Sequence, residues 1–114
     1  MKVDKPWGHE IIFAQTDKYV GKILFIKSDH KLSLQHHEIK DETIRVLSGI
    51  MILKVGNHSD ESLLTSLVLT KNDTYRIKPG VIHRMIAIQD VTLIEVSTPE
   101  LDDVVRHKDD YGRV

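Results

Sequence analysis

"SLQHHEIKDETIRVLSG", Ser33 to Gly49, carries two adjacent histidines, three acids and a glutamine, and it runs into Ile44–Gly49, which has the β-branched content of a strand. In extended backbone, residues i and i+2 share a face about 7 Å apart. Gln35 and His37 therefore point together and His36 points the other way. Glu42 follows His37 by five residues, past a bend at "EIKD", and can return to the side that Gln35 and His37 face. So much polar coordinating chemistry in the middle of a sheet predicts a metal site inside a small β-barrel.

Outward from this stretch the chain keeps the same rhythm. "KILFIK" (Lys22–Lys27), "IRVLSG" (Ile44–Gly49), "MILKV" (Met51–Val55), "LLTSLVLT" (Leu63–Thr70), "TYRIK" (Thr74–Lys78), "RMIAI" (Arg84–Ile88) and "VTLIEVS" (Val91–Ser97) have strand length and β-branched content. Between them lie "KSDHK", "SG", "GNHSDES", "KND", "KPG" and "QD", built from turn residues. Many short strands at close spacing predict an all-β sandwich or barrel. The best helix candidate is a short turn within "PELDDVVRHK", Pro99 to Lys108. At 114 residues, with no linker, repeat or low-complexity run, one domain over 1–114 is expected.

Composition excludes several classes. Sixteen basic and 17 acidic residues leave a formal charge of −1, which gives no footprint for nucleic acid. The absence of cysteine removes disulfides and thiolate metal sites, in keeping with a reducing cytoplasm. No apolar run approaches the roughly 20 residues of a membrane span, and "MKVDKPWGHE" lacks the apolar centre of a signal peptide. The expectation is a cytoplasmic protein with no membrane partner.

His83 follows a Pro-Gly turn in "KPGVIHRM". With Gln35, His37 and Glu42 it completes a set of two imidazoles, one carboxylate and one amide oxygen. Such a set suits a borderline divalent ion, Zn foremost, with Mn, Fe, Co and Ni also suited. Taken one at a time, each of these residues reads better as a surface side chain than as a ligand; the whole spacing is what joins them.

That spacing resembles the two motifs of the cupin superfamily, and in particular the cupin domain of type II mannose-6-phosphate isomerases, which is often fused to a guanylyltransferase. The resemblance rests on "KPWGHE" (Lys5–Glu10), "LSLQHH" (Leu32–His37), Glu42, "SG" (Ser48–Gly49), "IKPGVIHRM" (Ile77–Met85) and "DDVVRHKDDYGR" (Asp102–Arg113). It implies a cupin (double-stranded β-helix, jelly-roll) barrel, with Gln35, His37, Glu42 and His83 as metal ligands. Gln35 stands where most cupins have histidine, as in sugar-phosphate isomerase cupins. The chain departs from the pattern at Asp29, in place of a turn glycine, at Ile44, in place of an aromatic residue, and at Ala87, in place of an asparagine. Both Ile44 and Ala87 are expected near the pocket. A stand-alone cupin, without a guanylyltransferase domain, is expected.

The resemblance further implies a metal-dependent aldose–ketose isomerase acting on a sugar or sugar phosphate, working as a homodimer. Glu95, a carboxylate inside the strand "LIEVS", and Lys22 are the catalytic candidates, with a metal-bound hydroxide as the alternative base. Arg84 and Arg113 are the substrate-binding candidates and join Lys22 as cations for a phosphate. An outward-facing surface ion pair is the competing place for Arg84. The alternatives for the whole protein are a non-catalytic sugar-binding or regulatory cupin and a metal-dependent oxygenase or lyase on a small molecule. Trp7 is expected as a core or subunit-contact residue. His36 should face away from the metal, and His9, His30, His58 and His107 should lie at the surface.

Overall fold

Several inward-facing rows of side chains are apolar at one end and polar toward the other, and that gradient organises the molecule. The computed structural model describes residues 1–113. Its strands are β1 (Lys2–Lys5), β2 (Gly8–Gln15), β3 (Val20–Ile26), β4 (Leu34–His36), β5 (Glu42–Ser48), β6 (Met51–Gly56), β7 (Thr65–Leu69), β8 (Thr74–Ile77), β9 (Ile82–Ala87), β10 (Val91–Ser97) and β11 (Val105–Lys108). They form a six-stranded sheet ordered β1-β2-β3-β10-β5-β8 and a five-stranded sheet ordered β11-β4-β9-β6-β7. Every pairing between these strands is antiparallel.

The inner faces of the two sheets meet over Leu24, Ile26, Ile44, Val46, Met51, Leu53, Ile77, Met85, Ala87, Val91 and Leu93, all buried. Each such side chain contributes on the order of 1.5–3 kcal/mol by leaving water. Along β10 the inward row runs Val91, Leu93, Glu95, Ser97; along β5 it runs backwards from Val46 through Ile44 to Glu42. His83 likewise closes the β9 row of Met85 and Ala87, and Lys22 stands in the β3 row between Val20 and Leu24. Register aligns these polar ends: Glu95 pairs with Lys22 on one side, and Ser97 with Glu42 on the other. The barrel is thus plugged with hydrocarbon at one end and lined with charge at the other.

Two turns show why particular residues stand where they do. Gly49, between β5 and β6, has φ of 89°, and a Cβ there would lie 2.1 Å from the Asp90 carbonyl oxygen. Only glycine fits. Asp29 takes φ of 64°, the left-handed turn for which a short polar side chain is tolerated.

The seven expected runs are all strands, with ends shifted by a few residues; Leu63, the first residue of the fourth, instead ends a 3-10 turn, Glu61–Leu63, capped by Asp60. Four strands were not expected. β1 and β2 form an N-terminal hairpin whose outer positions are half-buried or exposed, so their apolar signal is diluted. β4 is three residues long. The helical turn expected within Pro99–Lys108 is absent: the segment turns and then becomes β11, pairing Val105 with His36 and Arg106 with Gln35. A segment this short is a poor helix nucleus, and the open edge of β4 offers its backbone partners.

Candidate metal centre

The polar end of the barrel encloses a cavity of about 260 Å³. Gln35, His37, Glu42 and His83 all line it, brought there by β4, the loop after it, β5 and β9. His37 Nε2 lies 2.9 Å and His83 Nε2 3.5 Å from the same atom, Glu42 Oε1. One atom from each of the three residues lies within 4.8 Å of the other two. Gln35 sits directly across from His83 in the β4–β9 register, and its amide nitrogen donates to Ser33 Oγ at 2.9 Å, which leaves the amide oxygen for another partner.

The protonation pattern decides what this cluster can hold. His37 Nδ1 donates to the Asp103 carbonyl, and His83 Nδ1 donates to the Val81 carbonyl at 3.0 Å. A carbonyl can only accept, so each Nδ1 carries its ring's hydrogen and each Nε2 of a neutral ring presents a lone pair. Burial pushes the His83 pKa down, more than the Glu42 charge raises it, so that ring is neutral. For Glu42, burial alone would raise the pKa, but hydrogen bonds from His37 and Glu95 and the charge on Lys40 outweigh it and keep the carboxylate ionised. With a cation in place of the proton that His37 Nε2 shares with Glu42, the two Nε2 atoms and Glu42 Oε1 could all turn lone pairs toward it. The residues fit a divalent ion of the nitrogen–oxygen type. The two carbonyl partners are the orienting shell that metal-bound imidazoles use.

Behind these residues lies a second charged layer. Glu95 is 5% exposed and accepts from Lys40 Nζ at 3.2 Å. Burial pushes its pKa up to about 8, with the Glu42 charge adding to the rise and Lys40 and Lys22 opposing it; the protonated acid donates to Glu42. Lys40 Nζ also lies 3.9 Å from Glu42 Oε2. Lys22 faces the cavity and pairs with Glu10 at 3.4 Å. Arg113 lines it as well, its guanidinium held by Asp109 at 2.8 Å and 3.0 Å.

Arg84 is the correction. As the neighbour of His83 in β9 it points to the opposite face of the sheet, away from the cavity. Nor does it reach solvent: it is fully buried between Glu61 (2.6 Å) and Asp110 (2.8 Å) and donates to the Leu32 carbonyl at 2.8 Å. Ile44 and Ala87 also fall outside the cavity wall, in the apolar core, because their rows have already turned hydrophobic at those positions. Trp7 belongs to that core and borders the cavity. His36 contacts His107 (2.7 Å) and Glu38 (2.9 Å), and His9 stacks on Phe25. Sequence reasoning passed over Lys40, although it precedes Glu42 by two residues and so shares its parity. It also passed over Glu10 and Arg106, whose places depend on how β2 and β11 pair.

The loop carrying His37 is fastened by Asp103, whose carboxylate accepts from the backbone N–H groups of Glu38 (3.0 Å), Ile39 (2.7 Å) and Lys40 (2.8 Å). These bonds depress its pKa from 3.8 to about 2. A depressed acid stabilises the fold above its unfolded pKa and loses that contribution as pH falls through the folded value. Asp103→Ala is therefore expected to melt below wild type at neutral pH. The gap between the two should close as thermal melts are taken from pH 4 toward pH 2; a gap that persists unchanged at pH 2 would contradict the assignment.

Two antiparallel sheets closed around an inward-facing Gln, two His and a Glu define a cupin. Solved structures share the architecture: KdgF from Halomonas sp. superposes with a TM-score of 0.76 over 90% of each chain at 17% identity. An RmlC-like cupin from Shewanella frigidimarina gives 0.72, covering 87% of this chain and 83% of its own at 17% identity. The capsular polysaccharide assembling protein CapF from Staphylococcus aureus gives 0.76, over 93% of this chain and 33% of its own at 16% identity. More narrowly, the chain belongs to the family described as mannose-6-phosphate isomerase C-terminal, whose model matches residues 1–109. Xanthan biosynthesis protein XanB of Xanthomonas campestris pv. campestris is 35% identical over 117 residues, covering 98% of this chain and 24% of that protein. Mannose-1-phosphate guanylyltransferase 2 of Escherichia coli O157:H7 is 31% identical over 115 residues, 96% of this chain and 22% of that protein. The chain thus spans about a quarter of the length of these relatives. No helix among the described residues is long and apolar enough to cross a membrane.

Proposed function

We propose that this cupin binds a divalent cation through His37, Glu42, His83 and Gln35 and interconverts the aldose and ketose forms of a small sugar phosphate. The carrying observation is that one donor atom each from His37, Glu42 and His83 lies within 4.8 Å of the other two, with the buried carboxyl of Glu95 hydrogen-bonded to Glu42. Zinc is the first choice, since two imidazoles and a carboxylate are among its common ligand sets. When bound, a divalent ion supplies Lewis-acid stabilisation of the oxyanion that forms as a proton leaves the carbon beside a carbonyl.

The chain's own residues supply the rest. Isomerisation moves one proton between adjacent carbons and one between their oxygens, so it needs a group that can both take and return a proton. Glu95 has the place for that role, a buried carboxyl in the cavity wall that accepts from Lys40 at 3.2 Å and adjoins Glu42. Lys40 and Lys22 set the balance by attracting the ionised form.

Deuterium wash-in tests the reading. Metal-loaded protein in heavy water is expected to place deuterium at C2 of mannose 6-phosphate or at C1 of fructose 6-phosphate. Glu95→Gln is expected to slow this by about 10²–10⁴-fold, the usual worth of a general acid–base, with metal content unchanged. No incorporation across several aldose and ketose phosphates would remove the isomerase reading.

A further inference from the structure

We infer that Arg106 is the oxyanion-binding residue of the cavity, holding a phosphate or carboxylate at the end of the ligand remote from the cation. This rests on the cavity being a site for a small anionic sugar, as proposed above. The other cations that line the wall are paired: Lys22 with Glu10 at 3.4 Å, Lys5 with Glu10 at 4.0 Å, Lys40 with Glu95 at 3.2 Å and Arg113 with Asp109 at 2.8 Å. Arg106 also lines the cavity, yet its Nε–H is buried and meets no acceptor among the described residues. It forms no ion pair among them either. Buried donors are almost always satisfied, so an unpaired guanidinium in a cavity wall calls for an acceptor brought in from outside. Glu100 Oε2 is the other buried polar atom without a partner, but Glu100 does not line the cavity.

Register says where that acceptor would be. Arg106 pairs with Gln35, and Gln35 pairs with His83, so the three lie in one row across β11, β4 and β9. Residues directly opposite on neighbouring strands present to the same face. The Arg106 backbone is thus two strand spacings, about 10 Å, from that of His83. A register shift follows at once, between Arg106 and Lys108, the kind of irregularity that re-aims a side chain at a sheet edge. The ligand is one whose oxyanion stands several bonds from the oxygens that face the cation. A guanidinium fork matches such an oxyanion with two parallel hydrogen bonds.

The test is calorimetric binding to zinc-loaded protein, read alongside the Nε–H resonance of Arg106 assigned by its loss in Arg106→Lys. The probes are mannose 6-phosphate, glucuronate and mannose. Mannose 6-phosphate or glucuronate is expected to move that resonance and to bind at least about tenfold more tightly than mannose, and the stronger of the two identifies the oxyanion. Arg106→Ala is expected to weaken the anionic probe by about ten- to a hundredfold, the worth of a charge-assisted contact, while leaving mannose binding and zinc stoichiometry alone. Equal affinity of Arg106→Ala and wild type for both anionic probes, or an Arg106 resonance that neither moves, overturns the inference. Binding through Arg106 without deuterium incorporation removes the isomerase reading and leaves this one standing. Incorporation that survives Arg106→Ala at unchanged KM removes this one alone.

Discussion

His37→Ala protein is expected to emerge from purification without its divalent cation and to stay folded. The imidazole gives the cluster one of its two nitrogen donors, and its removal leaves Glu42 Oε1 and His83 Nε2 too few partners to close a coordination shell. Loss of an orienting partner alone typically costs 10–100-fold in metal affinity, so loss of the ligand itself is expected to exceed about 100-fold. The fold survives because His37 stands in the polar end of the barrel, clear of the apolar plug formed by Ile26, Val46, Met51 and Leu53. His83→Ala is expected to behave alike. His36→Ala is the control, since that ring binds His107 and Glu38 on the other face, and its metal content should match wild type. Metal analysis of the three proteins, with circular dichroism for the fold, settles the matter. Metal lost from His36→Ala but kept by His37→Ala would mean the strand is read one residue out of register.

Arg84→Ala is expected to cost stability and spare the metal. Its side chain is 0% exposed, and it joins two carboxylates from distant segments, Glu61 before β7 and Asp110 after β11. Removing one partner from a buried ionic cluster typically costs about 3–5 kcal/mol, because the remaining charges lose their compensation. Glu61 and Asp110 keep some contact with water and retain Lys54 (2.9 Å) and Lys31 (3.2 Å), which places the loss near the low end, about 3 kcal/mol. For a domain of this size that corresponds to a Tm lower by on the order of 10 °C. Differential scanning calorimetry reads it directly. A melt within about 1 °C of wild type would show that the cluster carries no net stability. A fall in metal content at constant fold would show that Arg84 acts on the cavity after all.

The meeting of Gln35, His37, Glu42 and His83 at one cavity was legible because a strand's period of two and a turn's length are local properties. "LQHH" fixes which of two adjacent histidines faces inward, and the five-residue interval to Glu42 returns the chain to the same side. Glu95 was legible for a related reason, as a carboxylate in an inward row with Val91 and Leu93. Lys40 obeys the same parity and could have been found by it. Arg84 obeys parity too: sharing a strand with His83, it had to face the other way.

What lies beyond local period depended on pairing between strands far apart in the chain. The sequence by itself determined an all-β chain and a four-residue set able to hold a cation, since alternation and turn chemistry act over a few residues. Only the tertiary structure decided that Arg84 is sealed under Glu61 and Asp110, that Val105–Lys108 is an edge strand, and that Arg106 rather than Arg84 reaches the cavity. Each of these turns on backbone hydrogen bonds or ion pairs between segments tens of residues apart, and the energy of such contacts is not written in any short stretch of either partner.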